Sequence, residues 1–199
     1  MIWRMTESTK EQLVSAASKL LDSGGQNAVT LRAVAELVDV SHNAPYRHFR
    51  DRSALLAAVA ERDFVHLRQA FENESKGRDA ETALRKASMA LINYARKHKA
   101  RYRLLFSDPG LSPEQSLRDA AMASFQSFSL IVSRSQHDNI LPPGDTVSLT
   151  GLIYASLHGA IDLELGGRAG GAKGLGSIEA TVDLLFRLLR GADMSGSVS

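Results

Sequence analysis

The sequence predicts an all-α protein of nine helices arranged in two domains, and three observations lead there. Apolar residues recur at intervals of three and four along nearly the whole chain, and no stretch alternates as a half-buried strand does. Two of those stretches open on a serine followed three residues later by Glu or Gln, the signature of a helix start. Glycine pairs and proline-glycine turns separate the stretches.

The first helix starts at Ser8, where Ser8 and Glu11 fit a capping box, and its stripe is Leu13, Ala16, Ala17, Leu20 and Leu21. Gly24 and Gly25 end it. Thr30 is the N-cap of a short second helix, with Val29 placed to staple onto Val34 and Leu31, Val34, Ala35, Leu37 and Val38 as its buried side. Asp39 and Val40 make a tight turn. Ser41 is expected to cap a third helix over 42–48, in whose first turn Pro45 loses no intrahelical bond. Asp51 or Ser53 caps a fourth helix carrying Leu55, Leu56, Val59, Phe64, Leu67 and Phe71.

A polar turn over 73–79 leads to a fifth helix at 80–98 with Leu84, Ala87, Leu91 and Tyr94 on one face, and a short sixth helix covers 101–106. Ser107 to Gly110 reads as a turn. Ser112 as N-cap, Pro113 at N1 and Gln115 at N3 start a seventh helix with the stripe Leu117, Ala121, Phe125, Phe128 and Val132. The eighth helix, 145–166, carries Leu149, Leu152, Ile153, Leu157, Ala160 and Leu163. A glycine-rich loop, 166–176, leads to a ninth at 177–190 with Leu184, Leu185, Leu188 and Leu189. The domains are expected at 1–52 and 53–190, with a disordered tail over 191–199.

Composition narrows the function. Of 199 residues, 44 % are hydrophobic and 23 % charged, which is the balance of a folded globular chain. The absence of cysteine excludes disulfide scaffolds, thiolate metal sites and a cysteine nucleophile, and fits a reducing compartment. The start M-I-W-R-M-T-E-S-T-K lacks the apolar segment of a signal peptide, and no apolar run reaches the roughly 18 residues that span a bilayer, so a cytoplasmic location without membrane attachment is expected. The net charge of +2 decides little, but its placement is informative. Residues 41–52 hold Arg47, Arg50 and Arg52, plus His42 and His48, against Asp51 alone.

Two short helices joined by a three-residue turn are the geometry of a helix-turn-helix, which places its second helix in the DNA major groove. The segment 42–48 opens on His42, Asn43 and Ala44, and closes on Tyr46, Arg47 and His48, whose hydroxyl, guanidinium and imidazole are phosphate donors. A helix that short with so little to bury has no packing reason to form.

The stretch Y-R-H-F-R-D-R-S-A-L-L at 46–56 resembles the N-terminal domain of the TetR family of transcriptional regulators, and the likeness extends over about residues 9–62. Thr30 matches the family's N-cap of helix two, and Tyr46 and His48 match its phosphate-contacting positions. Arg52 stands where the family commonly has lysine. Asp39 replaces the family's usual glycine, at a strain of about 1 kcal/mol. The segment L-H-G-A-I-D-L-E-L-G at 157–166 is similar to the Trp-His-Gly segment of one TetR subgroup, with Leu157 in place of the tryptophan.

The resemblance implies a ligand-responsive repressor that binds a palindromic double-stranded operator as a homodimer paired through helices eight and nine. Its DNA-contacting residues would be Thr30, Arg32, Ser41, His42, Asn43, Ala44, Tyr46, Arg47, His48, Arg50 and Arg52. The small residues Ala155, Ser156, Gly159 and Ala160 suit close helix approach. The family also implies an effector pocket, here lined by Phe64, Leu67, Met89, Tyr94, Phe106, Phe125, Phe128 and His158, which favours an apolar or aromatic molecule. No catalytic residue, cofactor or metal is expected.

The alternative is a small-molecule-binding or metal-dependent helical enzyme. His158 and Asp162 share a helix face at i, i+4 with Glu164 nearby, but a third ligand at metal-binding spacing is absent. The run G-G-R-A-G-G-A-K-G-L-G at 166–176 lacks the preceding strand and the Lys-Ser/Thr pair of a phosphate loop, so a flexible connector is expected there.

Overall fold

The computed structural model describes residues 8–107, 111, 114–169 and 176–191. Among them are eight α-helices and no strand: α1 (Thr9–Gly24), α2 (Leu31–Val38), α3 (Arg52–Ser75), α4 (Ala80–Lys97), α5 (Lys99–Ser107), α6 (Gln115–His137), α7 (Thr146–Leu165) and α8 (Ile178–Gly191). Two short 3-10 turns, Gln26–Ala28 and Pro45–Arg47, sit between helices. The expected cap at Ser112 and Pro113, the centre of the glycine-rich loop and the tail beyond Gly191 lie outside the described residues.

The helices group into two compact units. The first takes in α1, α2, α3 as far as Val65, α5 and the start of α6 as far as Ala121. The second takes in α3 from His66, α4, α6 from Met122, α7 and α8.

In the first unit the ends of the helices follow from local chemistry. Ser8 Oγ accepts from Glu11 N while Glu11 Oε2 accepts from Ser8 N at 2.7 Å, a complete capping box. The chain leaves α1 through Gly25 at φ 68°, ψ −169°, a conformation closed to side chains with a Cβ. Thr30 Oγ1 accepts from Ala33 N at 3.0 Å and starts α2. Asp39, at φ 59° and ψ 48°, ends α2 in the left-handed region, and its N–H donates to Ala35 O and Glu36 O. Asp51 Oδ1 accepts from Ala54 N and caps α3. The core of this unit joins Leu13, Ala17 and Leu21 of α1 to Val34 of α2, Leu55 and Val59 of α3 and Leu104 of α5, all out of contact with solvent. Each leucine contributes about 1.5–3 kcal/mol through burial.

Two expectations are corrected here. Residues 42–48 do not form an α-helix capped by Ser41, so eight α-helices are present among the described residues where nine were expected. Pro45 has no N–H to return to Ser41, and the bonds that do form are the tighter three-residue kind: Ala44 N to Ser41 O, Arg47 N to Ala44 O and His48 N to Pro45 O. Phe49 N to Pro45 O, at 2.9 Å, is the one four-residue step in this stretch. Leu37, expected on the buried side of α2, is 52 % exposed, because α1 and the following turn cover the face of Val34 and Ala35 and stop short of it.

In the second unit, Phe71, Leu84, Leu91, Phe128, Val132, Ile153, Leu157 and Val182 make the core. Asp145 Oδ2 accepts from Ser148 N at 2.7 Å and starts α7. Arg96 of α4 donates to Glu164 of α7 at 2.6 and 2.8 Å, and to Glu179 of α8 at 2.7 Å, tying three helices at one point.

Candidate nucleic-acid interface

The segment between α2 and α3 is held at its ends and open between them. Val40 N donates to Ala35 O, which fixes the turn against α2. Pro45 and Phe49 point into the protein and are buried. The residues around these anchors face solvent: Ser41, His42, Asn43, Tyr46, Arg47, His48 and Arg50 are exposed and Ala44 is half-buried. A patch of hydroxyl, amide, imidazole and guanidinium groups therefore projects from one turn of chain. These donors suit an anionic, hydrogen-bonding surface such as a duplex.

The remaining expected contacts sit around this patch. Thr30 is exposed, and its hydroxyl keeps a proton to donate while its oxygen caps α2. Arg32 pairs with Glu36 at 2.9 Å, and His42 Nε2 lies 3.6 Å from the same carboxylate. The Arg32 hydrogen bond is the main reason that the Glu36 carboxyl lies below the usual range. Arg50 stands 3.3 Å from Asp51 and 3.4 Å from Glu114, contacts on exposed groups that water screens. Arg52 behaves differently: Nε donates to Val29 O at 2.7 Å and Nη2 to Gln26 O at 2.5 Å.

The residues expected to line an effector pocket fall into two aromatic groups. In the first unit Phe64 packs edge-on against Phe106 with ring centres 5.5 Å apart, and Tyr102 lies 5.1 Å from Phe106. In the second unit Phe125 and Phe128 lie 5.4 and 4.9 Å from the ring of Tyr154, which also contacts His158 at 5.3 Å. Leu67 is buried in that unit, and Met89 and Tyr94 are half-buried. Burial pushes the His158 imidazole down to about 4 and raises the Tyr154 hydroxyl above its ordinary value.

Sequence reasoning missed Tyr154, the hub of that group, although its i, i+4 spacing to His158 was a visible signal. It also missed the buried pair Arg101–Asp63. The carboxylates that follow His158 along α7 are engaged elsewhere, Asp162 by Arg168 and Glu164 by Arg96. Among the described residues no cluster of three His, Cys, Asp or Glu could hold a metal ion.

A hydrogen-bonding, cation-bearing turn exposed between the short, Thr30-capped α2 and the Asp51-capped α3 is the arrangement of a DNA-binding transcriptional regulator of helix-turn-helix type. Residues 13–59 match the family described as bacterial regulatory proteins, tetR family, and residues 84–192 match the tetracyclin repressor-like C-terminal domain. The chain belongs to the TetR family.

Solved structures resemble it over nearly its whole length. A Rhodococcus sp. RHA1 protein of unknown function is 27 % identical with a TM-score of 0.78, over 96 % of this chain and 97 % of that one. The TetR family regulator PfmR of Thermus thermophilus is 20 % identical with a TM-score of 0.64, over 92 % and 99 %. The fatty acid degradation regulator FadR of Bacillus halodurans is 12 % identical with a TM-score of 0.70, over 96 % and 99 %. No curated protein matches the chain. No described helix is long and apolar enough to cross a membrane.

Proposed function

We propose that this regulator is a repressor that binds a palindromic operator as a homodimer and releases it when a small apolar or aromatic effector binds. Residues 1–52 would form the DNA-binding domain and 53–190 the effector-binding and dimerisation domain. Tyr46, Arg47, His48 and Arg50 donate to phosphates, with Thr30, Arg32 and Ser41 at the flanks of the contact. His42, Asn43 and Ala44 face base edges, where Asn pairs with adenine and alanine meets a thymine methyl. The observation that carries this reading is the exposure of every one of those polar side chains around two buried anchors, Pro45 and Phe49.

Dimerisation is supported by apolar side chains left in solvent on α7 and α8: Val147, Leu152 and Leu163 on the first, Leu184 and Leu188 on the second. Ala155, Ser156, Gly159 and Ala160 line a shallow groove between those helices, small enough for a partner helix to approach. Two copies would set their DNA-contacting segments in successive major grooves, about 34–36 Å apart. The effector class rests on the rings of Phe125 and Phe128 packed on Tyr154, which in turn contacts His158, an imidazole that burial keeps uncharged.

The test is selection of bound fragments from random duplex DNA, with sedimentation velocity on the protein alone. The proposal expects an inverted repeat and a dimer at micromolar concentration. Enrichment of no sequence at low salt, or a monomer throughout, refutes it.

A further inference from the structure

We propose that Arg52 is a positioning residue of the DNA-contacting segment: its guanidinium clips the start of α3 to the backbone that leads into α2. The inference rests on reading residues 41–50 as that segment. The segment has little structure of its own, because Pro45–Arg47 is a 3-10 turn without a side-chain cap and Ser41 to Ala44 hold only a turn at His42 and Asn43 and a bend at Ala44. Its placement comes from its two buried anchors, Pro45 and Phe49, and from what holds its two ends.

Arg52 supplies such a hold. It is the first residue of α3, and it reaches back across 23 residues to Val29 O at 2.7 Å and across 26 residues to Gln26 O at 2.5 Å. Both carbonyls belong to the turn immediately before Thr30, the N-cap of α2. Everything between these points, α2 and the exposed segment included, becomes a loop closed by one side chain. Val29 is itself fully buried and donates its N–H to Gln26 O, so the acceptors are fixed in place.

Two diverging N–H groups from one planar cation are what this geometry uses, and a lysine ammonium is a poor substitute for such a fork. Charge-assisted bonds to carbonyls also orient the guanidinium toward the protein. Arg47 is a useful contrast: both side chains are exposed, but Arg47 projects from the segment itself.

The experiment compares Arg52→Lys, Arg52→Ala and Arg47→Ala with the parent protein. Affinity is measured for a selected operator and for random-sequence duplex across a salt series, and amide hydrogen exchange is measured on the DNA-free protein. Loss of a phosphate contact weakens both DNAs alike and lowers the salt slope by about one. That is the outcome expected for Arg47→Ala.

For Arg52→Lys the expected outcome is a fall of about tenfold in operator affinity, with random-duplex affinity and salt slope unchanged. Exchange should quicken at Val29, Ala33 and Val34 and stay as in the parent within α4 and α7. Arg52→Ala should behave the same way. The exchange arm reads the clip without DNA, so its result stands even if the parent binds no operator, a failure that would fall on the proposed function instead. Parent-like binding and exchange in Arg52→Lys, with a lowered salt slope in Arg52→Ala, overturns the positioning role. Parent-like behaviour of both variants, or faster exchange spread evenly over the whole chain, also overturns it.

Discussion

Removing the Asp63 carboxylate should destabilise the protein more than removing any other carboxylate of the same network. Asp63 of α3 is fully buried and accepts from Arg101 Nη1 at 2.9 Å. Arg101, 10 % exposed, also donates from Nε and Nη2 to Asp22 of α1, at 3.0 and 2.9 Å. His98 contacts both Asp22 and Arg101. One guanidinium thus ties α1, α3 and α5 together inside the first unit. Breaking a buried pair by deleting one partner costs about 3–5 kcal/mol when the survivor is left without compensation. In Asp63→Ala the guanidinium keeps Asp22, so a loss of about 2–3 kcal/mol is expected, at or just below the bottom of that range. Asp22 is 32 % exposed, and water can take its place, so Asp22→Ala should cost about 1 kcal/mol. The assay is equilibrium unfolding in urea followed by far-ultraviolet circular dichroism, with unchanged m-values as the check that the transition is comparable. If Asp63→Ala stays within about 0.5 kcal/mol of the parent, or Asp22→Ala proves the more damaging, the account of this network is wrong.

Three further outcomes are expected. Because burial holds the folded-state His158 near 4, below its unfolded value of about 6.5, the unfolded chain binds the extra proton first. Stability should be complete above pH 6.5 and fall as pH drops from there toward 4, and His158→Phe should flatten that part of a pH-dependent melting curve. Asp39→Gly should raise stability by up to about 1 kcal/mol in urea, since relief of left-handed strain at φ 59° exceeds the extra chain entropy of glycine. Thr30→Ala should cost about 1 kcal/mol and weaken operator binding in a fluorescence anisotropy titration, because the α2 cap and one flank of the contact go together.

Helix ends were the most legible part of the sequence, because a cap is a local interaction between residues three apart. Ser8 with Glu11 and Thr30 could be read without knowing any long-range neighbour, and Asp51 was one of the two candidates, with Ser53, for the start of α3. The exposed segment 41–50 was legible as a place but not as a shape. Its lack of apolar side chains marked it, while the choice between an α-helix and a 3-10 turn hung on a single missing N–H at Pro45. Leu37 was misplaced for a different reason: a helical stripe records which residues share a face, and only the neighbouring helices decide how far that face is covered. Asp63, Asp22 and Arg101 were out of reach because they meet across 38 and 79 residues, with no local pattern to announce the encounter.

If residues 41–50 meet DNA as proposed, their lack of an α-helix changes where affinity is decided. In a long recognition helix, the backbone bonds of the helix set the spacing of its side chains, and only residues touching DNA matter strongly. Here three-residue turns set that spacing weakly, so the positions of His42, Asn43 and Arg47 depend on how α2 enters and how α3 leaves. Those boundaries are fixed by the caps Thr30 and Asp51, the left-handed Asp39, and the buried anchors Pro45 and Phe49. A small rotation of the first turn of α3 would then be felt in the donor pattern, because only a 3-10 turn, Pro45–Arg47, lies between α2 and α3.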